Sequence, residues 1–265
     1  VVQHGKAVLG GDGGDELFGG YRAYQGALRL EAARAALPRW LRRGIAAGAR
    51  SMLPVGYPGR NALAHLDGTL AEGVAKVGTM FDADMRARLV PSLGRGDALA
   101  APDRWKRTLV DESRGVPGAF MASDFRSYLP GDILVKVDRA SMASSLEVRA
   151  PFLDRRLIEF AFARVPNRLR TTSDERKILL RRLARKLLPP DFDVGRKQGF
   201  SIPLAAWLTP QLRESACARF EGRFGAIFDF SEVRRLLGSR HVGGVARVFA
   251  LLMLMHWMEA HDVGV

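Results

Sequence analysis

The feature that most constrains the fold lies near the start of the chain, where a short apolar segment runs into a loop of glycines and acids. Residues 6–9 read Lys-Ala-Val-Leu, residues 10–16 read Gly-Gly-Asp-Gly-Gly-Asp-Glu, and Leu-Phe-Gly-Gly-Tyr follows at 17–21. This pattern predicts a short strand that ends in a glycine-rich loop. Parallel strands need partners reached through crossover connections, and nothing upstream supplies them. We therefore expect the strand to be the last part of a sheet whose other strands lie outside this chain.

The rest of the chain is patterned for helices. Residues 120–128 suit a helix that Pro130 ends, and residues 245–259 suit a final helix that is apolar on nearly all sides. Thr172 and Glu175 have the spacing of a capping box ahead of another helix. The expected fold class is an α/β fragment that is predominantly α-helical, with most of its parallel strands missing.

Composition and charge exclude several classes of protein. With 47% hydrophobic and 26% charged residues over 265 positions, the chain resembles a globular protein and not a disordered one. Its longest apolar run, at 248–255, is far shorter than the roughly 18 residues that a membrane span needs. The single cysteine, Cys217, excludes an internal disulfide framework and favours a cytoplasmic location. The net charge of +13 attracts anions, but the arginines are scattered and not interleaved with aromatics, which disfavours nucleic acid as a partner.

The acids of the first loop carry the clearest chemical signal. Asp12, Asp15 and Glu16 lie within five residues, and their repulsion costs stability unless a cation or a basic side chain sits among them. Glycines leave backbone N–H groups free to face a phosphate, and adjacent carboxylates can hold a divalent cation that bridges phosphate oxygens. From these residues alone, an ordinary polar turn is as good an interpretation as a binding site, because short Gly/Asp loops are common.

Five segments together resemble the synthetase domain of the glutamine-hydrolysing asparagine synthetase family in order and spacing. They are Gly-Asp-Gly-Gly-Asp-Glu-Leu-Phe-Gly-Gly-Tyr at 11–21, Leu-Pro at 129–130 with Val-Asp-Arg-Ala-Ser-Met at 137–142, Leu-Glu-Val-Arg-Ala-Pro-Phe-Leu-Asp at 146–154, Arg-Lys-Gln-Gly-Phe at 196–200, and Trp207. The resemblance implies an adenine-nucleotide α-hydrolase-like (PP-loop) domain. In that family ATP adenylates a carboxylate, pyrophosphate leaves, and ammonia derived from glutamine displaces AMP to form an amide.

The resemblance also assigns roles within the first loop. Asp15 matches the family's magnesium-binding aspartate. Gly11, Asp12 and Gly13 match the stretch that lines the nucleotide, and Asp12 is also a catalytic candidate beside the substrate carboxylate. ATP and Mg²⁺ are the cofactors that this implies, and the glycines permit the close backbone approach that a nucleotide requires.

Two further catalytic candidates come from the later motifs. Lys197 matches the lysine that contacts pyrophosphate and the adenyl phosphate, although taken alone it would read as a solvated surface residue. Glu147 matches an acidic residue near the acceptor site, with a buried ion pair to Arg149 or Arg139 as the alternative. Asp138 and Arg139 are expected to form a structural ion pair more readily than to act in catalysis.

Three departures from the family pattern shape the expected domain organisation. The family's Ser-Gly-Gly-x-Asp-Ser loop and its glutaminase domain are absent, and Cys217 cannot be the N-terminal glutaminase nucleophile. Gly10 stands where the family usually has Ser or Thr. We therefore expect the C-terminal portion of one synthetase domain, inactive alone, with a strand and loop at 1–26, a helical insertion or scaffold at 27–116, and a helical substrate and pyrophosphate region at 117–265.

The expected partners follow from the same resemblance. A small carboxylate, aspartate first among them, is the expected substrate, and a glutaminase domain outside this chain is the expected source of ammonia. A homodimer is compatible with the resemblance, and no membrane partner is expected. A related ligase that makes a β-lactam or a peptide ring is the close alternative, and a basic helical nucleic-acid-binding module with a degenerate site is the second.

Overall fold

Helices dominate the structure, a computed structural model that describes residues 3–53, 59–76, 79–94, 97–195, 203–239 and 242–263. The helices are α1 (Gly14–Phe18), α2 (Arg22–Ala36), α3 (Arg39–Met52), α4 (Arg60–Ala64), α5 (Leu70–Lys76), α6 (Ala83–Leu89), α7 (Asp97–Thr108), α8 (Gly115–Arg126), α9 (Leu134–Met142), α10 (Arg155–Arg164), α11 (Ile178–Leu187), α12 (Leu204–Trp207), α13 (Pro210–Gly222), α14 (Phe230–Leu237) and α15 (Val242–Ala260). The strands described are β1 (Ala7–Leu9) and β2 (Glu147–Arg149). The predominantly helical class is thus confirmed.

The two strands form one parallel sheet. Ala7 lies opposite Glu147 and Leu9 opposite Arg149. The predicted strand is confirmed, but the expectation that it is the last of its sheet was wrong. The chain returns through its helices to place a later strand beside it, and the sequence signal for β2 was only an extended segment before Pro151.

The chain folds into two compact units that interleave along the sequence. Unit 1 comprises Val1–Leu53, Asn61–Val77 and Trp105–Arg196, and unit 2 comprises Pro54–Arg60, Gly78–Arg104 and Lys197–Val265. The loop after β1 and the strand β2 both belong to unit 1. The three-segment division expected from the sequence stays a prediction.

The core of unit 1 fixes α1 and α2. Leu17 and Phe18 of α1 are buried with Ala161 of α10, and the Phe18 ring meets Phe152 edge to face at 6.0 Å. A second cluster surrounds Tyr24 of α2, which is fully buried. Apolar burial therefore locks both helices that flank the glycine-acid motif.

The helix expected to stop at Pro130 ends earlier than predicted. α8 ends at Arg126, and Pro130 lies inside a π-helical turn, Leu129–Ile133, that leads into α9. A proline in the first turn of such a segment loses no hydrogen bond, because its missing N–H would have been unpaired there.

Unit 2 packs around the final helix. α15 begins at Val242 instead of Val245 and ends at Ala260, so the predicted helix is confirmed and slightly longer. Its buried face joins an aromatic cluster from α13 and the segment after it, whereas Met253 and Trp257 are exposed. Within the described residues no helix is both long enough and apolar enough to span a membrane.

Truncation of the unit 2 core should destabilise it. Phe220 is 1% exposed, and its ring meets the Phe228 ring at 5.2 Å. We expect Phe220→Ala to lower the free energy of unfolding by about 3–5 kcal/mol, because it removes apolar burial and leaves a cavity. The control Phe192→Ala removes an exposed ring and should change little. Equal effects of the two variants in urea unfolding followed by circular dichroism would contradict this packing.

Candidate active site

The glycine loop turns sharply where the sheet ends. The Gly10 N–H donates to the Arg149 carbonyl at 2.7 Å, which continues the pairing of β1 with β2 by one residue. Gly13 then adopts φ 86°, and a Cβ there would overlap the Leu153 side chain. Only glycine meets both demands without strain. The loop therefore lies against the segment that follows β2.

Asp15, the expected magnesium ligand, forms an ion pair with Lys177. The Lys177 Nζ lies 2.6 Å from the Asp15 Oδ1, and the two side chains are 34% and 23% exposed. Gly20 packs directly against this carboxylate, since a Cβ at position 20 would overlap Asp15 Oδ1. The pair is therefore enclosed on one side by backbone and open to solvent on the other.

Lys177 is the site residue that sequence reasoning missed. It precedes α11 with φ 52°, in the left-handed region. The capping-box spacing predicted a helix start near Thr172, and the Thr172 hydroxyl does accept from the Glu175 N–H at 3.0 Å. That bond closes a turn, however, and the helix begins only at Ile178. The sequence feature that could have drawn attention to Lys177 is its position immediately before an apolar helical pattern.

The three acids of the loop do not form one cluster. Glu16 points inward, is 1% exposed and accepts a 2.5 Å hydrogen bond from the Tyr21 hydroxyl. Burial raises the pKa of Glu16, and the Tyr21 hydrogen bond opposes that rise. Asp12 instead folds back over Gly10. Repulsion is thus relieved by separation and by Lys177, a basic side chain, which is one of the two alternatives, a cation or a basic group, that the sequence left open.

Glu147 pairs with Arg149, as one alternative foresaw, but the pair is exposed and not buried. The Arg149 Nε lies 2.9 Å from the Glu147 Oε1, and this hydrogen bonding holds the pKa of Glu147 below its usual value. An exposed ion pair of this kind adds little to stability. Arg139 is not a partner of Glu147 in the described part of the chain.

The remaining candidates divide between described and undescribed residues. Lys197, with its whole motif, lies outside the described residues. Among the described ion pairs none joins Asp138 to Arg139, because neighbours in sequence do not face each other on a helix.

Cys217 is half-buried against the unit 2 core. Burial raises the pKa of its thiol, so this cysteine suits packing better than reactivity.

The donor set decides what kind of metal site could exist here. Within the described residues, no three His, Cys, Asp or Glu side chains are grouped to hold a metal ion. Mg²⁺ does not need such a group, because it is commonly held by one or two carboxylates together with phosphate oxygens and water. Asp15 supplies one partly exposed carboxylate, and Lys177 supplies a positive charge beside it. These residues fit a magnesium-phosphate group and do not fit a metal caged by protein alone.

The chain is similar to one protein family and to several named bacterial proteins. The asparagine synthase family model matches residues 1–259. A putative glutamine-hydrolysing asparagine synthetase of Mycobacterium bovis is 34% identical over 267 residues, which cover 96% of this chain and 39% of that protein. Mycobacterium tuberculosis has a relative of the same description with the same figures. Glutamine-hydrolysing asparagine synthetase 1 of Bacillus subtilis is 29% identical over 218 residues, or 80% of this chain and 33% of that protein.

These matches cover most of this chain but less than half of the length of each relative. The chain spans about two fifths of the length of the mycobacterial relatives, at 39%. No solved structure matches it. The family match, in contrast, runs through nearly the whole chain and includes the glycine loop, Asp15, Lys177 and β2. This chain belongs to the asparagine synthase family.

Proposed function

We propose that this chain is the synthetase part of an ATP- and magnesium-dependent amidotransferase that makes asparagine from aspartate with ammonia drawn from glutamine. The observation that carries the proposal is the Asp15–Lys177 ion pair, held beside a glycine loop at the end of β1. A carboxylate and an ammonium in this position suit a magnesium-bound phosphate. The names of the relatives support the amide-forming reaction.

Each residue of the site has a distinct task in this proposal. ATP with magnesium, when bound, would supply the adenylyl group that activates the substrate carboxylate, and pyrophosphate would be the group that leaves. Asp15 would hold the metal, and Lys177 would balance the charge of the phosphate oxygens beside it. Gly11, Asp12 and Gly13 would line the nucleotide.

The later motifs would supply two further groups to the reaction. Lys197 would offset the negative charge that develops on pyrophosphate as it leaves, since a point charge on a flexible stem can follow that charge. Glu147 would lie toward the acceptor or nucleophile. Its exposed pair with Arg149 leaves the carboxylate accessible for that role.

The sheet would be completed by the rest of the protein in an adenine-nucleotide α-hydrolase-like (PP-loop) fold. Parallel sheets are normally covered on both faces and contain more than two strands. Ala7 and Leu9 of β1 lie on one face of the sheet and are exposed, as expected of a parallel sheet whose face is covered by the rest of the protein. The glutaminase domain would lie in the same additional length, because the relatives are longer than this chain.

The substrate class can be tested by AMP formation. In the complete protein with ATP, magnesium and ammonium chloride, we expect AMP to form with aspartate and asparagine to accumulate at the same rate. Ammonia replaces glutamine, so the measurement isolates the synthetase reaction. AMP formation only with other carboxylates would instead assign the chain to a related ligase, such as one that closes a β-lactam or a peptide ring. We expect the 265-residue chain alone to form none.

Removal of the charge on Asp15 should abolish most turnover. We expect Asp15→Asn to lower the rate of pyrophosphate exchange into ATP by at least about 100-fold, because an amide is a poor ligand for Mg²⁺. Asp84→Asn is the matched control, since Asp84 also lies in the first turn of a helix and is exposed. Labelled pyrophosphate exchange into ATP is the measurement. Wild-type exchange in Asp15→Asn with saturating magnesium would remove Asp15 from the site.

Removal of the Lys177 charge should weaken nucleotide binding. We expect Lys177→Gln to raise the KM for ATP about tenfold, which corresponds to about 1.4 kcal/mol, because Asp15 loses its counter-charge and the phosphates lose an ammonium. The control Lys186→Gln changes an exposed lysine at the other end of the same helix. Steady-state kinetics with ammonia as nitrogen source measure the effect, and equal KM values in both variants would contradict the assignment.

A further inference from the structure

The short helix α1 carries two adjacent carboxylates with different environments. The Asp15 side chain is partly exposed and meets Lys177, whereas Glu16 is buried at 1% exposure. A helix of five residues, Gly14–Phe18, is too short to be stable by itself. Its orientation, and with it the direction of the Asp15 carboxylate, depends on what anchors its inner face.

The polar anchor of that inner face is the hydrogen bond from Tyr21 to Glu16. The Tyr21 hydroxyl donates to Glu16 Oε1 at 2.5 Å, and the Tyr21 ring meets the rings of Tyr24 and Tyr128 edge to face at 5.5 and 5.9 Å. Aromatic packing therefore fixes the tyrosine, and the tyrosine fixes the carboxyl. A buried carboxyl without such a donor would carry a large desolvation cost.

The backbone between Glu16 and Tyr21 links their hydrogen bond to the position of Asp15. Gly20 rests on the Asp15 carboxylate immediately before Tyr21 reaches Glu16. A shift of Tyr21 would therefore move the backbone that encloses Asp15, while a shift of Glu16 would rotate α1. The Tyr21–Glu16 hydrogen bond therefore adds to the apolar burial of α1 and constrains both this helix and the backbone that encloses the Asp15 carboxylate.

We infer that Glu16 and Tyr21 are positioning residues that hold the Asp15 carboxylate in the orientation required for a magnesium-bound phosphate. The inference rests on the proposed function for its ligand. The partner groups of a metal ligand commonly contribute about 10–100-fold to metal affinity without touching the metal. Glu16 itself is too enclosed to reach a metal, so its effect passes through Asp15.

Tyr24 provides an internal control of matching chemistry. It is fully buried, and its hydroxyl donates to Asp124 Oδ2 at 2.8 Å. Asp124 belongs to α8, whereas Glu16 belongs to α1. Tyr24→Phe and Tyr21→Phe thus each remove a hydroxyl that donates to a carboxylate, but only the second removes a hydrogen bond to the helix that carries Asp15.

The test measures binding of Mn²⁺ with ATP, by electron paramagnetic resonance of Mn²⁺, together with thermal unfolding of the complete protein. We expect Tyr21→Phe to weaken Mn²⁺-ATP binding about tenfold or more, and Tyr24→Phe to leave it unchanged while lowering Tm by a similar amount. Glu16→Gln should stay near wild type, because its carbonyl oxygen still accepts from Tyr21. Glu16→Leu should behave like Tyr21→Phe.

The possible outcomes separate this inference from the proposed function. Equal binding by Tyr21→Phe and Tyr24→Phe overturns the positioning role, whatever the turnover. A Glu16→Gln variant that loses binding as fully as Asp15→Asn also overturns it, because the charge of Glu16 would then act directly. Weaker binding in Tyr21→Phe alone supports the inference even if the wild-type protein forms no AMP, which would count only against the proposed reaction. A wild-type protein that binds no Mn²⁺-ATP refutes both.

Discussion

The parallel pairing of β1 with β2 is the contact on which the candidate site depends. It joins Ala7 to Glu147 across a long stretch of helical chain, and the bond from the Gly10 N–H to the Arg149 carbonyl carries it into the glycine loop. Without that pairing the loop would have no surface against which to turn. Gly13 then fits against Leu153, so the glycine loop and the segment after β2 become one structural unit.

The sequence allowed the local parts of this site to be predicted, but not the parts that tertiary contacts create. The strand, the glycine loop and the need for a cation or a basic group among the three acids follow from short-range patterns. Lys177 supplies that group from a distant part of the chain, and no periodicity points to it. The inward direction of Glu16 also escaped prediction, because it depends on a tyrosine whose position is set by packing. β2 escaped prediction because its alternation, Glu-Val-Arg, spans only three residues, which is too short to distinguish a strand from a loop.

Part of the high positive charge comes from arginines that form hydrogen bonds within the fold. Many arginines donate to backbone carbonyls at the ends of helices or in loops, where they satisfy acceptors that secondary structure leaves open. Examples are Arg34 to His65, Arg50 to Ala64, Arg86 to Leu99 and Arg247 to Met80. Guanidinium groups used in this way are held within the fold instead of forming a stripe for phosphate contacts. The arrangement favours the enzyme over a basic nucleic-acid-binding module.

Three acids within five residues would repel each other in an extended loop, and the fold resolves this by giving each a different environment. Asp12 lies half-buried over Gly10, Asp15 pairs with Lys177, and Glu16 is buried against Tyr21. The environments also separate what the groups can do. Of the three, Asp15 combines partial exposure with a neighbouring ammonium, while the carboxyl of Glu16 is shielded from any ligand. A loop that looks like a uniform acidic patch in sequence thus contains one group suited to a metal and one suited to holding the first in place.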